Sequence, residues 1–307
     1  MHKVSMRVIE KFSRLDKNLA CPCCKSENIK YYTTKFGFDL DKCGSCDHIF
    51  TNPFPSNEAL DYYYNSDFKK FENEFFLESF EKRVPIFSDR IELMKAAGVG
   101  KNVLDVGSAI GIFIEANKLA NSPFNISSCD LSRDACEYLK KKYPDLTVLN
   151  EDVNDLTDYD FDCVTLWDTF EHIPNPKELL NSIRRIMTDD GVFIFSTPNT
   201  HSFEWTVMGD GHVQLLPPGH VNLYNVDNIK ILLNNNGFEI EQIETMNPSL
   251  DFTYIKNIIQ NLDESVCGRA ALELFKIIFD DEFFTKAQKL LRDNRFAGNM
   301  LVMAKKI

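Results

Sequence analysis

Three carboxylates, Asp105, Asp130 and Asp152, each close a short strand-like run. The run at 103–106 is apolar and β-branched, which suits a buried strand. It breaks at Gly107-Ser-Ala-Ile-Gly111 into Ile112, Phe113, Ile114, Ala116 and Leu119, which are spaced as on a helix. Gly107 and Gly111 permit a sharp turn and a close approach of backbone to a ligand. A strand edge that meets a helix N-terminus presents free N–H groups and a positive dipole end. A dinucleotide site needs Gly-x-Gly-x-x-Gly, but Ala109 and Ile112 stand at two of those positions. Asp105 repels a pyrophosphate and attracts an ammonium or sulfonium group. Asp130, after the apolar stretch 124–129, is placed for the two hydroxyls of a ribose. Asp152 follows the run at 147–149. Together the three suit a nucleoside that carries positive charge and no phosphate; capping of helices is the other use of such residues.

A second constellation precedes this one. Cys21-Pro-Cys-Cys24 and Cys43-Gly-Ser-Cys46 repeat Cys-x-x-Cys with 18 residues between the pairs, the spacing of a four-thiolate zinc site. Cys21, Cys24, Cys43 and Cys46 are the ligands this predicts; Cys23 is a spare, and His48 lies outside the pair spacing. Four sulfurs leave no open position, so the metal is expected to be structural. Disulfides and redox chemistry are the alternatives, the former disfavoured in a reducing compartment. Cys129, Cys136, Cys163 and Cys267 sit among apolar neighbours and read as core.

The elements that must position these residues alternate strand and helix, which predicts an α/β layer fold with a mostly parallel sheet. Helical patterns cover 80–97, 177–187 and 225–236, and the runs at 161–167 and 192–196 are apolar enough for central strands covered on both faces. Strands at 238–243 and 300–304 end the series, with a helical pattern at 254–291 between them. Val4, Val8, Ile9, Phe12, Leu15 and Leu19 make a helical stripe suited to docking on the protein.

With these residues in view, the chain resembles the class I S-adenosylmethionine-dependent methyltransferases. The resemblance rests on Asp105-Val-Gly-Ser-Ala-Ile-Gly111, Cys129-Asp-Leu-Ser132, Glu151-Asp152, Leu166-Trp-Asp-Thr-Phe-Glu-His-Ile-Pro-Asn-Pro176 and Gly191-Val-Phe-Ile-Phe-Ser-Thr-Pro198. Ala109 departs from that family's usual middle glycine. The resemblance implies a Rossmann-like, seven-stranded, mostly parallel sheet whose last two strands run antiparallel at one edge. Asp105 and the backbone of Gly107, Ser108, Ala109 and Gly111 would hold the methionine part of the cofactor. Asp130 would take the ribose and Asp152 with Val153 would flank the adenine, with Leu131 also in the cofactor site and Trp167 near the adenine or in the core. The implied organisation is an N-terminal helix and zinc ribbon (1–60), connecting helices (61–97) and a cofactor-binding domain (98–307) with a C-terminal helical insertion (250–295). Such an insertion commonly covers a substrate site or a dimer surface, and a homodimer is compatible with it.

Methyl transfer to a hydroxyl needs a base, for which histidine is best suited at neutral pH. Of His172, His201, His212 and His220, the favoured candidates are His220, in Pro217-Pro-Gly-His-Val-Asn222, and His172, in Glu-His-Ile-Pro. Structural hydrogen bonding is the other reading of each. Asp168, Glu171 and Glu204 are available as partners or substrate contacts. Tyr62-Tyr-Tyr64 suits either a substrate groove or packing between ribbon and main domain.

Composition narrows the partners. Thirty-four basic against 46 acidic residues give a net charge of −12, the reverse of what nucleic-acid binding demands. No apolar run reaches membrane-spanning length, and residues 1–7 lack the apolar core of a signal peptide, so a cytoplasmic location is expected. The ribbon resembles that of a bacterial subgroup associated with surface-polysaccharide and other sugar-linked metabolites, which implies a small, sugar-linked acceptor. A partner-binding module that keeps the cofactor pocket without turnover, and a protein methyltransferase, are the competing readings.

Overall fold

The computed structural model describes residues 17–64, 77–246, 273 and 280–307. The helical stripe at 4–15, Cys267 and most of the helical pattern at 254–291 lie outside these residues; Leu19 is exposed.

Two sheets form. The larger has seven strands: β4 (Asn102–Val106), β5 (Asn125–Cys129), β6 (Thr147–Leu149), β7 (Phe161–Trp167), β8 (Met187–Pro198), β10 (Phe238–Met246) and β11 (Asn299–Lys306). Their order is β10-β11-β8-β7-β4-β5-β6. The five strands from β4 to β8 pair in parallel, and β11 runs antiparallel to both β8 and β10. This is the sheet the alternating pattern and the family resemblance imply. The chain moves outward from β4 to β6, then crosses back to β7. The order therefore reverses between β4 and β7, where open α/β sheets leave a crevice at their carboxyl ends.

Helices cover both faces. On one side α2 (Phe80–Ala96) and α3 (Ile112–Leu119) bury Val84, Ile91, Met94 and Phe113 against Val103, Trp167 and Ile194. On the other, α5 (Pro176–Ile186) and α7 (Val226–Asn234) bury Leu179, Leu180, Ile183, Ile229 and Leu233 against Leu104, Phe193 and Phe195. The local signals are those that start helices. Ser132 caps α4 (Arg133–Lys142) through the Ala135 N–H at 3.3 Å, Asn175 precedes Pro176 at the first position of α5, and Asn225 closes a capping box with Asn228 on α7.

The smaller sheet has the order β1-β2-β3-β9, from β1 (Ile29–Lys35), β2 (Phe38–Cys43), β3 (Ile49–Thr51) and β9 (Asn222–Leu223). The ribbon thus borrows its fourth strand from the segment that precedes α7, with Ile49 opposite Leu223 and Phe50 opposite Asn222. The graft is reinforced by the Asn225 and Asn228 amides, which donate to the Cys46 carbonyl at 3.3 and 3.2 Å. Helix α1 (Asn57–Tyr64) follows the ribbon and packs Tyr63 on Phe38 and Ala59.

Candidate functional site

The loop after β4 is left-handed at three residues: Gly107 (φ 76°), Ala109 (φ 45°) and Gly111 (φ 78°). A side chain at 107 would start 2.5 Å from Thr169 Oγ1, so the loops after β4 and β7 approach as closely as glycine allows. Ala109 occupies its left-handed position at a cost of roughly 1–2 kcal/mol. Its N–H donates to Asp130 Oδ2 at 2.8 Å, a charge-assisted bond that offsets this strain. The Ser132 N–H donates to Asp130 Oδ1 at 2.8 Å. Asp130 therefore ties the tip of the first loop to the start of α4. Leu131 beside it is 66% exposed, an apolar side chain lying open at the edge of the crevice.

Asp105 lies within β4 at 2% exposure. Burial pushes its carboxyl up to about 7, against the opposing effects of hydrogen bonds from Thr165 and Ser108; Thr165 Oγ1 donates at 3.0 Å. Asp152 caps the short 3-10 turn Val153–Asp155, accepting the Asn154 N–H at 2.9 Å, and Val153 is buried beneath it. The capping use of Asp152 is thus present. Trp167 packs in the core between Phe87 and Phe113, with ring centroids 6.1 and 5.2 Å away.

One further charged residue joins the crevice without any local sequence signal. Arg90, from α2, is buried with its guanidinium over the rings of Phe87 and Trp167, 4.0 and 4.7 Å from their centroids. Its Nη2 lies 4.0 Å from Asp168 Oδ2. Nε and Nη1 have no hydrogen-bond partner among the described residues. The planar fork of a guanidinium matches the geometry of a carboxylate. Asp168, at φ 49°, accepts from Ser196 Oγ at 2.8 Å and Asn299 Nδ2 at 3.0 Å.

Across the crevice the structure brings His172 and His220 together, their rings perpendicular with centroids 4.7 Å apart. His172 Nδ1 lies 2.9 Å from the Gly219 carbonyl and 3.1 Å from Tyr64 Oη. His220 Nδ1 lies 2.8 Å from the Gln214 carbonyl. A carbonyl only accepts, so Nδ1 of each ring carries a proton, which in the neutral imidazole puts the lone pair on Nε2. Glu171, 1% exposed, accepts from Thr197 Oγ1 at 3.0 Å. Burial, with the nearby Asp168, pushes its carboxyl up to about 8. The other two histidines are placed elsewhere. His201 faces Asp47 and Asn225 at the ribbon junction. His212 packs at a tilt against Trp205, with centroids 4.5 Å apart, and burial pushes it down to about 4. Glu204 is buried, and neither carboxylate oxygen has a hydrogen-bond partner among the described residues. Of the tyrosines, Tyr63 packs on Phe38 and Ala59, and Tyr64 Oη reaches His172.

In the ribbon, the Sγ atoms of Cys21, Cys24, Cys43 and Cys46 all lie within 4.8 Å of one another. The Cys21–Cys46 and Cys24–Cys43 separations are 3.7 and 3.6 Å. A tetrahedron with bonds of about 2.3 Å has edges of about 3.8 Å, so the donor set fits zinc. These distances exceed a disulfide's bond of about 2.05 Å, and the four thiols are free. Cys23 turns away and donates to the Asn228 carbonyl at 2.9 Å. His48 Nδ1 stays 3.7 Å from the Cys21 sulfur, with the ring stacked on Tyr224.

Comparison with known proteins agrees with this geometry. A family model described as a methyltransferase domain matches residues 80–243, just over half of the chain. The ubiquinone biosynthesis O-methyltransferase of Actinobacillus pleuropneumoniae serotype 7 is 30% identical over 151 residues, covering 44% of this chain and 63% of that protein. The protein of the same name from Thiobacillus denitrificans is 33% identical over 135 residues, 41% of this chain and 57% of that protein. The match therefore spans less than two thirds of either relative. Among solved structures, the magnesium protoporphyrin IX methyltransferase of Synechocystis, with bound S-adenosylhomocysteine, superposes with a TM-score of 0.51 at 15% identity. It covers 80% of this chain and 97% of that one, which is a likeness of fold. By its family match, its sheet and its glycine loop, the chain belongs to the class I S-adenosylmethionine-dependent methyltransferases.

Proposed function

We propose that the chain transfers a methyl group from S-adenosylmethionine to a hydroxyl of a small, sugar-linked acceptor such as a surface-polysaccharide precursor. The observation that carries this is the meeting of His172, His220 and Tyr64 at the carboxyl edge of β7, where the loop after β4 adjoins the loop after β7. When bound, the cofactor supplies an electrophilic methyl group on a sulfonium. Arg90 offers N–H groups to its carboxylate, and Asp105 with the backbone of Gly107, Ser108, Ala109 and Gly111 receives its methionine end. Asp130 takes the ribose hydroxyls, Leu131 covers a face of the adenine, and Asp152 with Val153 flanks the base, with Trp167 backing Arg90. On the acceptor side the Nε2 lone pairs of His220 and His172 accept the hydroxyl proton, and Tyr64 orients the acceptor. In-line displacement needs little else, since positioning supplies much of the rate. Oxygen as the accepting atom agrees with the printed names of the two relatives. The sugar link rests on the ribbon's resemblance, and a quinone-type phenol is the acceptor those names bring to the test. Zinc in the four-cysteine cluster is structural in this reading.

The experiment is turnover with S-adenosylmethionine and separate panels of nucleotide-sugars, polysaccharide precursors and catechols, read by mass spectrometry. Acceptor-dependent S-adenosylhomocysteine is expected with a sugar-linked panel member. Cofactor binding without turnover in any panel would favour the non-catalytic module instead. His220→Ala and His172→Ala should each lower kcat by about 10²–10⁴-fold, the usual size of a general-base contribution, with cofactor affinity within threefold of wild type. Normal kcat in both would remove the histidines from the chemistry.

Asp105 makes the cofactor step pH-dependent. Burial holds its carboxyl up at about 7, and a cationic ligand favours the ionised form, so binding draws that pKa down and releases a proton. Affinity is expected to rise as pH increases from 6 to 8 and to flatten above that. Calorimetry in two buffers of different ionisation enthalpy should show proton release near pH 7; proton uptake would contradict the placement of Asp105.

A further inference from the structure

We propose that Glu171, His172 and His220 form a second metal site, a two-histidine, one-carboxylate set that binds a divalent transition-metal ion and presents its open positions to the acceptor. This rests on, and deepens, the assignment of the cluster to the acceptor side. One donor atom from each of the three residues lies within 4.8 Å of the others. Both imidazoles give Nδ1–H to a main-chain carbonyl, Gly219 for His172 and Gln214 for His220. That is the outer partner which fixes the tautomer and aims the Nε2 lone pair of a metal-ligating histidine. The third donor is a carboxylate buried to 1% exposure, whose hydrogen-bond donor among the described residues is the neutral hydroxyl of Thr197. A buried carboxylate of this kind gains most from a nearby cation.

The fold holds the three donors together from unlike directions. Glu171 and His172 end the short turn Phe170–His172 after β7, whereas His220 comes from the segment leading into β9. The Val221 N–H donates to the Glu171 carbonyl at 2.9 Å, and the Thr51 N–H of β3 donates to the Val221 carbonyl at 2.9 Å. The ribbon's last strand thus sets the position of His220. Tyr63 Oη sits so close to Gly219 that a Cβ there would start 3.0 Å away.

The donor types choose the ion. Two imidazoles and one carboxylate suit zinc, manganese or ferrous iron, whereas magnesium and calcium prefer oxygen alone. Three protein ligands leave positions open, as in catalytic rather than closed structural sites. An acceptor oxygen on the ion loses its proton to water at a lower pKa. That oxygen then forms a bond to the methyl carbon as the carbon–sulfur bond breaks, and the pair returns to sulfur as a neutral thioether. With an ion in place the imidazoles act as ligands, and the hydroxyl ionises on the metal.

Manganese(II) binding to the full chain tests the site, read by electron paramagnetic resonance after dialysis against a mild chelator that spares the thiolate-bound zinc. One Mn(II) per chain is expected for the wild type, with at least tenfold weaker binding in Glu171→Gln and in His220→Gln. Circular dichroism melting confirms that both variants are folded. No binding to the wild type, or equal binding to folded variants, overturns the site. Methyl transfer measured on the same samples separates the two readings. Turnover unchanged by chelation overturns the metal's role in transfer and leaves the methyltransferase assignment intact. Mn(II) bound as expected, with no turnover on any acceptor, upholds the site while the methyltransferase proposal fails.

Discussion

Replacing Asp130 by alanine is expected to weaken S-adenosylmethionine binding by roughly ten- to a hundredfold, corresponding to about 1.5–3 kcal/mol for hydrogen bonds to a charged group. The loss has two parts. The carboxylate is the group placed for the ribose hydroxyls, and its removal takes away one partner of the cofactor. It also frees the N–H groups of Ala109 and Ser132, which it now holds at 2.8 Å each. Ala109 then keeps its φ of 45° without the bond that offsets it, and the loop loses its binding-ready shape. Asp130→Asn separates the parts, because its amide oxygen can still accept one N–H. Calorimetric titration should therefore place Asn between wild type and Ala. Equal affinity in all three would remove Asp130 from the cofactor site.

Cys43→Ser, or removal of the zinc proposed for the four-cysteine cluster, is expected to be the most damaging change to stability. A structural four-thiolate zinc contributes on the order of 10 kcal/mol to folding in isolated fingers. Even a loss of about 4 kcal/mol should lower Tm by roughly 10 °C in a chain of this size. The damage should also spread in a defined direction. The Cys46 carbonyl anchors Asn225 and Asn228 on α7, and β3 pairs with β9 beside His220. The cofactor loop after β4 is held instead by Asp130 and the Cys129 carbonyl of the larger sheet. Below the melting range, the stripped protein should keep cofactor affinity within about threefold while turnover falls more than tenfold. Elemental analysis should find one zinc per wild-type chain that survives dialysis. A zinc-free wild type with unchanged Tm and turnover would contradict the ribbon's role.

The parts of this molecule that were legible in its sequence are those specified over short distances. The run at 161–167 is the strand Phe161–Trp167 because continuous apolar residues have one use in a sheet covered on both faces. The four cysteines were legible because two knuckles at this spacing have few other uses, and their sulfurs do converge. The glycine loop was legible from its residue types, although Ala109 needs the Asp130 bond to explain its tolerated left-handed turn. What long-range packing creates was not legible. Arg90 lies in an ordinary helical stretch, and only the stacking of its guanidinium on Phe87 and Trp167 brings it to the crevice. Strand β9 is two residues long and has no periodicity to detect. Its pairing with β3 nonetheless joins ribbon to main domain and sets His220 against His172, 48 positions away. The sequence favoured His220 and His172 among four histidines. Burial and the tilted contact with Trp205 set His212 apart, and the ribbon junction holds His201.

A crystal structure of the chain soaked with S-adenosylhomocysteine decides whether the crevice is the cofactor site. The ribose hydroxyls are expected on Asp130, the adenine against Leu131, and the amino-acid carboxylate on Arg90. The sulfur should face the His172–His220 side of the crevice. A nucleoside bound away from Asp130, or a crevice left without ligand at saturating concentration, would contradict this placement.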